Sequence, residues 1–269
     1  MERVDDTAAN ATGGCAGVSE GVLQMGICMD AYVDAISLIK ECEKYISKLK
    51  TQCVDSMFSR EYSWRAKHPF KVMSFVNAMT WRMYDMSHAA LILMKEDAVI
   101  PSLCLVRACW ENMVATFELT ELVQSCCEQK ALPRDVDETL MRILYSNRYD
   151  KDNRYMNGEH YEHFKEYKAR NILTLVQKLE KRYPETKDFY GIICEFVHPN
   201  GDGVGGSYSH LDEYTQSVSF GPQFSRESQL FPAFITTLSC SIYLYLKFVE
   251  LIGEDIMDFS RLCEKSLSI

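Results

Sequence analysis

Apolar residues recur every three or four positions over most of this chain, and that spacing is the strongest constraint on its fold. Residues 20–54, 70–95 and 101–130 all show it. This period lines apolar side chains along one face of an α-helix, whereas a strand needs strict alternation. Alternation never extends beyond a few positions, and residues 214–220 are the best candidate for a short extended segment. The sequence therefore predicts an all-α fold.

Prolines and a glycine mark the expected ends of further helices. Pro101 suits the first turn of the third helix, where a missing N–H costs nothing. Pro133 and Pro184 predict the starts of two shorter helices, and Pro199 predicts the end of the second. A helix is also expected at 170–182. A long final helix should run from about 228 to 251, with a short terminal helix after Gly253.

Two polar segments interrupt the helical pattern. Residues 146–168 are charged and aromatic but poor in aliphatic side chains, and residues 200–226 begin with four glycines in six residues. Residues 1–18 lack the order of a signal peptide and predict a flexible tail. Residues 19–269 therefore predict one domain, a bundle of four or five long helices with two long polar insertions.

Composition narrows the classes of partner. The chain has 269 residues, 47% of them hydrophobic, and a formal net charge of −9. This acidic balance disfavours a broad basic face for nucleic acid and an anionic membrane surface, but it allows a small local basic site. Residues 230–246 lack charge, yet they are short for a span and contain Ser and Thr. They predict a buried core helix, and no membrane partner is expected.

The eleven cysteines form no Cys-x-x-Cys pair, and most lie within apolar helical segments. Cysteines in such positions behave as small buried hydrophobic residues. Reduced thiols are typical of the cytoplasm, which is the predicted location.

Arg107 and Glu111 interrupt the most apolar of the predicted helices. They lie four residues apart and therefore share one helical face. A helix that is apolar all round belongs in the centre of a bundle, where unpaired charges are very costly. The two side chains should neutralise each other, either as a structural ion pair or as a polar cleft. In the second case Arg107 would bind an anion and Glu111 would orient it.

A second polar group closes the helix that ends before Pro199. Glu195 and His198 are three residues apart, and a Glu-x-x-His pair can bind a metal when a second pair faces it. Asp85 and His88 are only a weak counterpart. We therefore predict no metal ion and no cofactor. A satisfied histidine at a helix end, favoured by the helix dipole, is the structural alternative.

The order of these residues resembles the HEPN superfamily of helical domains, which occur in prokaryotic toxin, abortive-infection and CRISPR-linked proteins. The resemblance covers roughly residues 70–250 and is closest to an uncharacterised bacterial branch. The matching residues are an Arg-x-x-x-Glu in one central helix and a Tyr…His-Pro at the end of a later one, namely Arg107, Glu111, Tyr190, His198 and Pro199.

Active members of this superfamily are metal-independent ribonucleases that work as dimers. The resemblance implies that His198 acts on the 2′-hydroxyl or the leaving group, while Arg107 stabilises the phosphate charge. The Arg-x4–6-His motif of the superfamily is matched here only by Arg154 and His160, inside the first polar insertion. Arg107 and His198 would instead assemble the constellation from two helices.

Two functions remain open on this basis. The first is a cytoplasmic, homodimeric HEPN-like domain of prokaryotic defence or toxin-type RNA metabolism, which cleaves or binds RNA through Arg107, Glu111 and His198. The second is a non-enzymatic interaction module, in which the ion pair is structural and residues 200–226 bind a protein partner. The residues predicted to contribute to binding are Glu195, Tyr190, Tyr208 and His210.

Overall fold

The computed structural model describes residues 35–145 and 171–267, most of which are helical. The helices are α1 (Ala35–Gln52), α2 (His68–Lys95), α3 (Val99–Cys127), α4 (Pro133–Tyr145), α5 (Ile172–Arg182), α6 (Phe189–Val197) and α7 (Phe231–Ser266). Two strands, β1 (Ser209–Asp212) and β2 (Ser217–Phe220), form an antiparallel hairpin between α6 and α7. The prediction of an all-α class is confirmed, with this hairpin as the exception.

Helix α3 lies at the centre of the bundle, as its apolar surroundings predict. It packs against α2, α4, α5, α6 and α7. Trp110 is fully buried, and its Nε1 donates to the carbonyl oxygen of Thr237 at 3.1 Å. Thr120 reaches the carbonyl of Phe248 further along the same helix pair. Because both residue numbers rise together, α3 and α7 run side by side in the same direction, whereas α2 runs antiparallel to α3.

The buried apolar side chains form two clusters along these long helices. The larger cluster joins α1, α2, α3, α5, α6 and the first half of α7. The smaller one joins the other ends of α2, α3 and α7 with α4. The hydrogen bond from Arg82 to Asn112, at 3.0 Å, joins α2 to α3 beside the larger cluster. The fold is therefore held by three long helices that pass through both cores.

Helix α7 corrects the prediction of two separate C-terminal helices. It continues through Gly253 without a break, since Ile252 and Ile256 on either side are buried in the smaller cluster. Two hydroxyls in its apolar half bond to its own backbone: Thr237 donates to the carbonyl of Ala233 and Ser241 to that of Leu238, each at 2.7 Å. Length and composition would allow this helix to cross a membrane, but 67% of its most apolar window is buried in the bundle. A core helix passes the same test, so the cytoplasmic location stays a prediction.

Several predicted boundaries shift in the structure. The helix expected over residues 70–95 begins two residues earlier, at His68, so that Pro69 lies in its first turn. Pro184 begins a single 3-10 turn, Pro184–Thr186, and α6 starts only at Phe189. The reason is Asp188, which has a φ of 71° and breaks the path of the chain between the two.

The second polar insertion is more ordered than predicted. Residues 201–206 form a π-helical turn, and the hairpin follows it. Strand β2 confirms part of the extended segment expected at 214–220, whereas β1 was not predicted. The predicted tail at 1–18 and the first insertion at 146–168, with Arg154 and His160, lie outside the described residues.

The nine cysteines that the structure describes are free thiols. Burial raises the pKa of Cys42 to about 12 and that of Cys126 to about 11. Both side chains are therefore neutral thiols at physiological pH, consistent with a role in packing.

Candidate functional site

Helices α3 and α6 pack together and bring four polar side chains into one cluster. The Arg107 Nε donates to the Glu111 Oε1 at 3.1 Å. The Tyr190 hydroxyl donates to the same carboxylate oxygen at 2.9 Å. The Arg107 Nη1 lies 3.5 Å from the His198 Nε2. We call Arg107, Glu111, Tyr190 and His198 the polar cluster.

Local sequence explains how each side chain reaches this position. The four-residue spacing puts Arg107 and Glu111 on the face of α3 that meets α6. Tyr190 stands in the first turn of α6, and His198 follows its last residue. Pro199 disfavours helical backbone in the residue before it, and His198 accordingly has a ψ of 147°. The proline thus ends α6 where the imidazole points back toward Arg107.

The cluster lies at the rim of the core rather than inside it, which corrects the expectation of a buried pair. The Arg107 and Glu111 side chains are 27% and 40% exposed. Tyr190 is buried beneath them, and His198 is exposed. The cluster therefore has an apolar floor and an open upper side that a ligand in solution can reach.

Electrostatics keep the arginine charged and the phenol neutral. Burial alone lowers the pKa of Arg107, but Tyr190 and Glu111 more than offset it, so that the net pKa is raised. Burial, together with the adjacent Glu111 carboxylate, raises the pKa of Tyr190. A guanidinium has five N–H donors. The contacts with Glu111, Tyr190 and His198 therefore leave donor capacity for an anion.

Sequence reasoning missed Cys194 as a member of this site. Its thiol is half-buried beside Arg107 and Tyr190, and burial raises its pKa although Arg107 acts in the opposite direction. Tyr190, Cys194 and His198 follow one another at intervals of four, which places them along one face of α6. That spacing was the available signal. The raised pKa keeps the thiol protonated, so it fills space rather than acts as a nucleophile.

Glu195 belongs to a neighbouring turn and not to the polar cluster. Its carboxylate accepts a hydrogen bond from Asn200 at 2.8 Å, and the Asn200 Oδ1 accepts one from the backbone N–H of Gly203 at 2.8 Å. A side chain at Gly203 would collide with the carbonyl oxygen of His198 and lie 3.0 Å from that of Phe196. The π-helical turn therefore packs directly on the backbone that carries the imidazole.

Tyr208 and His210 lie on the hairpin side of this turn, both exposed. The Tyr208 carbonyl accepts from the N–H of Gly221 at 2.9 Å, and His210 pairs with Ser219 across the strands. Neither side chain forms a hydrogen bond or ion pair with the polar cluster within the described residues. The structure thus joins Arg107, Glu111, Tyr190 and His198, but not Glu195, Tyr208 or His210.

The described residues contain no group of three His, Cys, Asp or Glu side chains arranged to hold a metal ion. His88, the weak counterpart considered for such a site, stacks on Tyr84 with ring centres 5.6 Å apart. Its imidazole is therefore engaged on α2, away from α6.

Comparisons with protein-family models, with curated proteins and with solved structures gave no match to this chain. Function therefore has to be inferred from the geometry of the site.

Proposed function

We propose that this protein acts on RNA without a metal ion, with Arg107 and His198 engaging a phosphodiester. The observation that carries the proposal is the 3.5 Å separation of the Arg107 Nη1 from the His198 Nε2 on an open surface. A guanidinium recognises phosphate oxygens, and an imidazole transfers protons near neutral pH. This pairing is the minimum that cleavage by the internal 2′-hydroxyl of RNA requires.

The roles follow from the chemistry of that reaction. His198 accepts the proton of the 2′-hydroxyl as its oxygen attacks phosphorus. The bond to the 5′-oxygen breaks, that oxygen takes a proton from water, and a 2′,3′-cyclic phosphate remains. Arg107 stabilises the negative charge that develops on the phosphate oxygens. Glu111 and Tyr190 are positioning residues, because their hydrogen bonds fix the guanidinium. An open, shallow site suits a polymer strand better than a small molecule, which usually needs a deep pocket.

The proposal includes the assignment of the chain to HEPN-like helical domains of prokaryotic defence or toxin-type systems. Its support is the Arg-x-x-x-Glu of α3 lying beside the Tyr…His-Pro of α6. It implies a cytoplasmic homodimer, as in active members of that superfamily.

The test is cleavage of labelled single-stranded RNA in the presence of EDTA. Arg107→Ala and His198→Ala should each lower the rate at least about 100-fold, the range for loss of a general base or a charge-stabilising donor. Arg261→Ala and His88→Ala are the controls, since Arg261 pairs with Asp258 at 2.6 Å on the surface of α7. Folded wild-type protein that leaves RNA intact, or controls that lose as much activity, would contradict the proposal.

A second candidate is a non-enzymatic interaction module, favoured by the hairpin. Its register places Leu211, Val218 and Phe220 on one face. The exposed fractions of these three residues are 53%, 47% and 83%, respectively. The opposite face is polar. An exposed apolar face of this kind marks a protein contact in other folds. This function predicts no cleavage and equal losses of melting temperature in Arg107→Ala and Glu111→Ala.

A further inference from the structure

The connection between α1 and α2 combines exposed aromatic rings with cations, in contrast to the acidic remainder of the chain. Phe58 and Trp64 are 58% and 83% exposed. Arg60, Arg65 and Lys67 are exposed between and beside them. We call residues 58–67 the basic aromatic loop.

No ion pair joins Arg60, Arg65 or Lys67 to a carboxylate among the described residues. Arg60 instead lies over the Phe58 ring, with its Cζ 6.0 Å from the ring centre. Elsewhere, exposed arginines form ion pairs with nearby carboxylates, as Arg226 does with Asp97 at 3.2 Å. One carboxylate, Glu61, lies within the loop, and it caps the backbone N–H of Phe58 at 3.3 Å. The loop therefore carries a local positive charge in a chain with a net charge of −9.

The loop is held in a defined conformation. The Ser63 hydroxyl donates to Glu264 at 2.6 Å and accepts from the Ala66 N–H at 2.8 Å. Ser260 of α7 donates to the Tyr62 carbonyl. Ala66 is buried in the smaller apolar cluster. These anchors fix the backbone on both sides of Trp64, whose side chain is exposed to solvent.

An exposed indole beside cations that form no ion pair among the described residues suits two classes of ligand. Single-stranded nucleic acid offers bases that stack on aromatic rings and phosphates that pair with Arg and Lys. An anionic membrane is the other candidate. Basic segments that bind such membranes contain about four to eight cations, whereas this loop has three and includes Glu61. We propose that the basic aromatic loop binds single-stranded RNA, with Trp64 stacking on a base and Arg60, Arg65 and Lys67 contacting phosphates.

The choice of RNA over DNA rests on the proposed function, but the loop lies far from the polar cluster. The Ser63 and Tyr62 contacts place it at the C-terminal end of α7, whereas Trp110, one turn from Arg107, contacts Thr237 near the start of that helix. Variants in the loop can therefore change RNA binding without touching Arg107 or His198.

The test is fluorescence anisotropy with labelled single-stranded RNA, in EDTA and on a His198→Ala background that holds the RNA intact. Trp64→Ala should raise Kd about tenfold, within the range for loss of one stacked base. The double variant Arg65→Ala with Lys67→Ala should weaken binding. It should also make the negative slope of log K against log salt shallower by about 1.4. The controls Leu173→Ala and Arg134→Ala, at exposed positions on other helices, should leave Kd unchanged.

All these side chains are exposed, so the variants should keep the wild-type melting curve, which is checked first. An unchanged Kd in Trp64→Ala, or binding to vesicles of anionic lipid in place of RNA, overturns the inference. RNA cleavage that does not depend on Trp64 leaves the proposed function intact and contradicts the inference about the basic aromatic loop. RNA binding that depends on Trp64, with no cleavage by the wild type, supports the loop inference and contradicts the proposed function.

Discussion

Gly203 gives the sharpest test of how the π-helical turn supports His198. A Cβ at this position would overlap the carbonyl oxygen of His198 and would lie 3.0 Å from the carbonyl oxygen of Phe196. In Gly203→Ala, the π-helical turn and the end of α6 must therefore move apart by on the order of 1 Å. Backbone displacements of this kind cost about 1–3 kcal/mol. A shift of that size also removes the 3.5 Å contact between His198 and Arg107.

Gly205 is the matched control, because a Cβ there meets nothing within 4 Å. Gly205→Ala should be neutral or should stabilise the fold by about 0.4–1 kcal/mol, since alanine restricts the unfolded chain. Urea unfolding measures both effects, and the imidazole resonances of His198 report whether its surroundings change. If Gly203→Ala keeps wild-type stability and unchanged His198 resonances, the close packing inferred for this turn is wrong. If the proposed function holds, the same variant should lower RNA cleavage about 100-fold.

Three further predictions concern hydrogen bonding, titration and helix continuity. Tyr190→Phe removes a hydrogen bond to a partly exposed carboxylate and should lower the free energy of unfolding by about 1–2 kcal/mol; Tyr214→Phe, at a residue that is 97% exposed, is the control, and equal stability of the two variants would refute the contact. Burial raises the pKa of Tyr190, Tyr45 and Tyr245 in the folded state. The unfolded chain therefore loses these protons first, so the contribution of the three tyrosines to stability should be full below about pH 10 and should be lost above it. Buried thiols such as Cys42 act in the same direction from about pH 8.5; ultraviolet titration should show the delayed tyrosine ionisation separately, with a shallower fall in Tyr190→Phe. Gly253→Ala should stabilise α7 by about 1 kcal/mol, since a Cβ there meets nothing within 4 Å; destabilisation in thermal unfolding would indicate a break in the helix.

The helices were predictable because their determinants are local. Pro101 and Pro133 mark helix starts through the missing N–H, and the apolar period gives the buried faces. The continuity of α7 was not predictable, since the cost of Gly253 is local while the gain from burying Ile252 and Ile256 depends on helices distant in sequence. Strand β1 was missed for a related reason. Its four residues become a strand only through pairing with β2.

The polar cluster was partly predictable. The spacing of Arg107 and Glu111 requires them to meet, and the charge of the pair indicated a polar partner from another helix. The sequence could not give its depth, because exposure depends on how far α6 covers α3, and α6 ends at Val197, two residues before Pro199. Cys194 went unnoticed because a cysteine among apolar residues suggests packing alone.

The parallel course of α3 and α7 also sets a length scale for any strand that reaches both ends of the bundle. With a rise of 1.5 Å per residue, the offset between the contacts near Arg107 and those of Ser260 corresponds to roughly 30–40 Å. At about 3.4 Å for each stacked nucleotide, that span equals approximately ten nucleotides. If the polar cluster and the basic aromatic loop bind the same RNA strand, oligonucleotides shorter than about ten nucleotides should occupy one end only, and affinity should rise in a step past that length.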